Sequence, residues 1–288
     1  MMPVHHRTAT VDGFDVFYRE AGRPDAPTLV LLHGFPSSSY SFRNLIPALA
    51  DRYHLVAPDH LGYGYSAMPE MDKFPYTFDA LTDVTDKLLD QLKIRKYAVY
   101  MHDYGAPIAL RLFLRHPERI SAIITQSGNA YMEGFVDSFW SPLFAYAKAP
   151  GPDTEQAVRT ALTPDKIRWQ YEHGVPDVSL ISPDPYVHDQ SLLDRPGNDE
   201  IQLQFFRDYK TNLDVYPAAQ DCFRRTQVPL LAVWGGNDQI FGPDGARAFQ
   251  RDLPDAEIHL LDAGHFALES ALDPIAGYIR GFLGRTLV

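Results

Sequence analysis

Cysteine is nearly absent: Cys222 stands alone, so no disulfide can form within the chain. Long apolar runs are absent too. No stretch approaches the roughly 18 apolar residues that a membrane-spanning helix needs. The N-terminal MMPVHHRTATVDG lacks the apolar core of a secretory signal, so a cytoplasmic protein with no membrane insertion is the expectation. Positive charge is in deficit, with 26 Lys and Arg against 37 Asp and Glu and a net charge of −11. That balance argues against nucleic acid or an anionic membrane surface as partner. There is no internal repeat and no low-complexity tract. There is also no G-x-S-x-G. Ser66, in GYGYSAM, and Ser127, in TQSGN, lack glycines at the required spacing, so the chain offers no serine nucleophile of that kind. His5 and His6 read as solvated neighbours near the chain end rather than as metal ligands, and neither a metal nor a cofactor is expected.

What is present is an alternation of strand-like and helix-like segments in 288 residues, enough for one large domain or one domain with an insertion. Residues 8–20, TATVDGFDVFYRE, alternate apolar and polar around Asp12-Gly13, the signature of a hairpin. TLVLLHG (28–34) and HLVAPDH (54–60) are apolar runs of the kind that form fully buried strands, and YAVYMHD (97–103), ISAIITQSG, VPLLAVWGGND (228–238) and AEIHLLDAGH read as further strands. Helical patterns such as FDALTDVTDKLLDQLKI and DPIAGYIRGFL separate or succeed them. This order predicts an α/β fold, a mostly parallel central sheet with helices on both faces. The rhythm breaks at 131–216, where aromatics, prolines and helical fragments accumulate. The division expected is therefore a core of 1–130 and 217–288 with an inserted, mainly helical cap over 131–216.

Ligands of such sheets bind beyond the carboxyl ends of the strands. The segments there are HGFP (33–36), DHLGYGYS (59–66), HDYG (102–105), QSGN (126–129), NDQ (237–239) and GHF (264–266). They supply Asp103, Asp238 and His265 in the order nucleophile, acid, base. Each also has a structural reading. Asp103 could cap the helix GAPIALRL, and Asn237-Asp238 is good turn chemistry. The position after the preceding strand, near Asn129, is an alternative place for the acid, but an asparagine carries no charge.

These motifs in this order resemble the α/β-hydrolase fold, and within it the branch with an aspartate nucleophile, the epoxide hydrolases and haloalkane dehalogenases. The resemblance covers nearly the whole chain. It departs at Met101, where the family usually has a small residue. It implies that Asp103 attacks, that His265 is the general base oriented by Asp238, and that the N–H groups of Phe35 and Tyr104 form an oxyanion hole. His33 and Pro36 would shape that loop and the substrate pocket.

A carboxylate nucleophile suits displacement at a saturated carbon, giving an alkyl ester that water then hydrolyses. A departing epoxide oxygen needs a hydroxyl donor such as tyrosine. A departing halide needs N–H donors, and Phe35 and Tyr104 stand where the resembling dehalogenases carry asparagine and tryptophan. Among the tyrosines of 131–216, the contexts PLFAY and FRDYKTNLDVY resemble those of the two ring-opening tyrosines, which selects Tyr146 and Tyr216. Trp140 and Trp169 are expected to line a mainly apolar pocket. The reading is an epoxide hydrolase acting on a small apolar organic substrate with water and no cofactor. A haloalkane dehalogenase with the same triad is the alternative, and a non-catalytic ligand receptor on the same fold is a third possibility. The sequence sets no oligomeric state.

Overall fold

The computed structural model describes residues 2–287. Eight strands form one sheet: β1 (Val4–Val11), β2 (Phe14–Ala21), β3 (Thr28–Leu32), β4 (His54–Pro58), β5 (Tyr97–His102), β6 (Ile120–Gln126), β7 (Leu230–Gly235) and β8 (Glu257–Leu261). Their order is β1-β2-β4-β3-β5-β6-β7-β8. The first two pairings, β1 with β2 and β2 with β4, are antiparallel and the remaining five are parallel. The hairpin turn has Asp12 at φ 51° and Gly13 at φ 87°, the left-handed pair that a two-residue turn requires and that Asp-Gly accommodates.

The inner strands are apolar throughout because both of their faces are covered. Leu29, Leu31, Ala98, Tyr100, Ile124 and Leu231 pack on one side, with the helix Leu272–Thr286. Val30, Leu32, Val99, Met101, Ile123 and Ala232 pack on the other, with the helices Phe78–Gln91 and Gly105–Arg115. Each such buried Leu, Ile or Val contributes about 1.5–3 kcal/mol relative to exposure. Among the described residues no helix is long and apolar enough to cross a membrane.

Between β6 and β7 the chain is helical, from Asp137–Lys148 through Pro152–Arg159, Pro164–Glu172, Asp184–Leu193 and Asn198–Asp208 to Lys210–Thr226. The last of these runs continuously past position 216 with Pro217 inside it, so the end of the inserted segment is not marked by a break in secondary structure.

Register decides where the site lies. Leu32 pairs with Met101, Met101 with Thr125, Thr125 with Ala232, and Gly235 with Leu261. From that level β5 and β6 run one residue further and β7 and β8 three, and the residues just beyond the strands, from His33 to His265, follow the same edge of the sheet.

Candidate active site

Asp103 leaves β5 at φ 48°, a left-handed conformation that costs a non-glycine residue about 1–3 kcal/mol and survives only where the surroundings enforce it. The enforcement is visible. A Cβ at Gly105 would lie 2.1 Å from the Leu32 carbonyl oxygen, and one at Gly34 would lie 2.3 Å from the Asp103 Cβ. Met101 fits this tight turn because its neighbour on β6 is followed by Gly128, where a Cβ would meet Met101 Cγ at 3.0 Å. The Asp103 carboxylate does not cap the following helix. Tyr104 is the N-cap and makes no side-chain cap bond. Instead Asp103 Oδ1 accepts the Phe35 N–H at 2.7 Å, and the nearby Tyr104 N–H favours the charged carboxylate.

His265 Nδ1 lies 2.9 Å from Asp238 Oδ2. This contact fixes the tautomer with the proton on Nδ1, leaving Nε2 bare, buried and without a hydrogen-bond partner. Nε2 is 3.9 Å from Asp103 Oδ2. The His265 carbonyl is held by Gln126 Nε2 at 3.0 Å and by His102 Nε2 at 3.3 Å. Asp238 serves the turn and the imidazole at once: Oδ1 accepts the N–H groups of Ile240 (2.7 Å) and Phe241 (3.1 Å), while Oδ2 also accepts the Ser127 hydroxyl at 2.6 Å. Ser127, which fails the nucleophile pattern, thus anchors the acid. Ser66 is equally structural, donating to the Asp59 carbonyl and accepting from Phe17 N. Asn129 binds back onto Tyr131.

Burial sets the protonation chemistry. It pushes the Asp103 carboxyl up to about 6, against the opposing pull of His265 and of the Phe35 and Tyr104 N–H groups. For His265 burial acts downward, but the charge and hydrogen bond of Asp238, with the charge of Asp103, outweigh it and leave the imidazole above its ordinary value. The result is a carboxylate with one oxygen fixed and the other facing a base with a free nitrogen. Such a pair can form an ester through Oδ2 and then direct water onto its carbonyl carbon.

A cavity of about 10 Å³ touches Asp103, room for one water at most. Phe35, Tyr104 and Ile240 line it from the sheet side, and Phe139, Trp140, Leu143, Ala161, Gln170 and Phe206 from the helical segment. Of the residues expected in the pocket, Trp140 is there. His33 is not: it is buried beneath the Gly34 loop, where Nε2 accepts the His60 N–H and Nδ1 meets the Gly34 carbonyl. Pro36 lies outside this lining, in the same buried loop. Trp169 also lies outside, half-buried and stacked on His173 with Lys166 Nζ 3.6 Å from its ring.

A third tyrosine, Tyr209, lies beside Tyr216 of the expected pair. Tyr146 lies six residues beyond Trp140, about 9 Å along the helix axis. Burial raises its hydroxyl first, and Glu155, Arg207, Glu200 and Arg159 are the charges that act on it next. The residue that shares the neighbourhood of Asp103 is Tyr209, on whose ring Trp140 (4.4 Å between centroids) and Tyr104 (5.8 Å) pack. Burial raises both Tyr209 and Tyr216, and the Asp103 charge acts on both. The Tyr216 hydroxyl is buried with no completed hydrogen bond, beside the Tyr209 hydroxyl and the Asn129 amide. Sequence context selects Tyr216 but passes over Tyr209, seven positions earlier and so two helical turns away on the same face. That i, i+7 spacing is the signal the sequence offers.

The alpha/beta hydrolase fold family model matches residues 27–152 and 170–272. An uncharacterized hydrolase of Saccharomyces cerevisiae, YNR064C, is 44% identical over 274 residues, 94% of this chain and 94% of its own. Epoxide hydrolase A of Mycobacterium tuberculosis is 39% identical over 122 residues, 42% of this chain and 38% of its own. Among solved structures, an ancestral haloalkane dehalogenase, AncHLD2, superposes with a TM-score of 0.82 at 24% identity, covering 98% of this chain and 99% of that one.

Proposed function

The chain belongs to the alpha/beta hydrolase fold family, and from that premise we propose that it opens a small epoxide to a vicinal diol through an alkyl ester of Asp103. It is a hydrolase of the epoxide hydrolase and haloalkane dehalogenase type. The observation that carries the covalent route is the split environment of the Asp103 carboxylate. Oδ1 is tethered to the Phe35 N–H, and Oδ2 is left facing the bare Nε2 of His265. Oδ2 attacks a ring carbon, the C–O bond of the ring breaks, and the ring oxygen takes a proton from a tyrosine hydroxyl. His265 then takes a proton from water, whose oxygen adds to the Asp103 carboxyl carbon; the bond from that carbon to Oδ2 breaks, and the diol leaves with the proton held by His265. The charge that develops on Oδ1 is met by the Phe35 and Tyr104 N–H groups, already in place. Residues 131–216 act as the cap. A substrate of several carbons exceeds 10 Å³, so binding requires cap side chains to move.

Epoxide is favoured over halide by the donors near the carboxylate. The buried indole N–H groups are occupied, Trp140 by the Ile240 carbonyl and Trp234 by the Phe241 carbonyl, both at 2.8 Å. Tyrosine hydroxyls, held protonated by burial, remain at Tyr209 and Tyr216 and suit an oxygen leaving group. Tyr209 takes the role expected of Tyr146. The halide reading keeps one supporting observation, an unpaired amide at Gln170 in the cavity wall.

A panel of small epoxides and bromoalkanes, assayed for diol and for bromide, tests the reading. Diol formation without bromide release is expected, and bromide release alone would move the enzyme to the dehalogenases. Tyr209→Phe should slow single-turnover ring opening by about 10²-fold with little change in Tm. An unchanged rate would remove Tyr209 from the mechanism.

A further inference from the structure

Gln170 lies on the helix Pro164–Glu172, on the inward face that also carries Ile167, while Arg168 and Glu172 pair on the outside. The side chain is only 2% exposed and forms part of the wall of the cavity that holds Asp103. Its Nε2 is buried with no hydrogen-bond partner. A buried amide N–H left without a partner destabilises the fold. Most other buried polar side chains around the site are paired. Ser127 and Asp238 bond each other, Trp140 bonds Ile240, and Tyr63 donates to Gln202. An unpaired group that shares a cavity with the reacting carboxylate is placed to be completed by the molecule that enters.

We propose that Gln170 is a specificity-determining residue, its free amide in the wall opposite an otherwise apolar lining selecting substrates that carry a hydroxyl next to the electrophilic carbon. An amide presents a donor and an acceptor side by side, and a hydroxyl satisfies both with one atom. The other cap-side lining residues, Phe139, Trp140, Leu143, Ala161 and Phe206, offer no free polar group. The preferred substrate is therefore a short epoxy alcohol rather than a hydrocarbon epoxide. A site built to pair a substrate hydroxyl discriminates strongly against the analogue lacking it, because the protein group is then left unpaired. This inference rests on the reading that Asp103 attacks the substrate in this cavity.

The test compares matched pairs that differ by hydroxyl against methyl: 2,3-epoxypropan-1-ol with 1,2-epoxybutane, and 2-bromoethanol with 1-bromopropane. Wild-type kcat/KM should favour the hydroxyl member by at least about tenfold, chiefly through KM. Gln170→Met should lower that ratio at least about tenfold, and its Tm should equal or exceed the wild-type value, since an unpaired amide is replaced by an apolar side chain of similar volume. An unchanged ratio, an equal loss on both members of a pair, or a clear fall in Tm each overturns the proposal. The equal loss would mark Gln170 as a donor to the leaving group, and the fall in Tm would reveal a structural role. Should neither pair turn over, the reading of Asp103 as attacking group fails by itself. Selection by Gln170 is then read from the thermal shift given by 2-methoxyethanol against 1-methoxypropane, with Gln170→Met abolishing the difference if the proposal holds and leaving it if not.

Discussion

Asp103→Asn should end multiple turnover, lowering kcat by at least about 10⁴-fold, the scale on which removing a nucleophile acts. Asparagine keeps the shape and an oxygen for the Phe35 N–H, so the fold should persist while the attacking charge is gone. Any slow return of activity should track deamidation, visible as a mass gain of about one unit on the peptide that contains position 103. Full activity before deamidation would refute the role. The same carboxylate sets the acid limb of the wild-type enzyme. With its pKa pushed up to about 6 by burial, it is ionised and reactive above that pH, and alkylation should fall about tenfold per unit below it. His265 must be neutral to take a proton, and it is held above its ordinary value despite burial, mainly by Asp238. Ester hydrolysis should therefore fail at a higher pH than alkylation, so mildly acid conditions accumulate the ester. The gap is narrowed because alkylation removes the Asp103 charge, one of the causes that raises His265.

His265→Gln should trap the alkyl-enzyme, since an amide cannot take a proton from water while Oδ2 of Asp103 remains free to attack. After incubation with substrate, the peptide containing Asp103 should gain the full mass of an epoxide, because ring opening expels nothing. A haloalkane would instead add only its alkyl group. The mass therefore reports the route and the leaving group together. Turnover should fall by at least about 10³-fold, with alkylation reduced far less. An unmodified peptide, under conditions where the wild type consumes the compound, would end the covalent account.

Much of this arrangement is legible in the chain itself. Continuous apolar runs ending in His33-Gly34, Asp103 and Asp238 mark buried strands and the turns at their carboxyl ends, because a strand covered on both faces has little place for polar residues until it leaves the sheet, while His265 follows the half-buried edge strand β8. Local chemistry adds the tight turns: Asp12-Gly13 for the hairpin, and glycines at 34 and 105 where a Cβ would collide. The helical segment resists the same treatment. Its tyrosines, tryptophans and glutamines serve packing, surface and site alike, and one-dimensional context does not say which way a helix is turned. Hence context points to Tyr146 where Tyr209 faces the carboxylate's neighbourhood. It likewise points to Trp169 for the pocket, where the adjacent Gln170 forms the wall.

What the sequence alone determined is the fold class, the order in which Asp103, Asp238 and His265 follow their strands, and the lack of a serine in a G-x-S-x-G turn. Those features rest on hydrophobic runs and on residues adjacent to them, which are local properties. Tertiary structure decided the partner of Asp238 at Ser127, the placing of the Tyr209 hydroxyl beside that of Tyr216, the small cavity and the free amide in its wall. Each of these joins residues from separate elements, and only the packing of one element against another fixes which side chains are paired and which are left to a ligand.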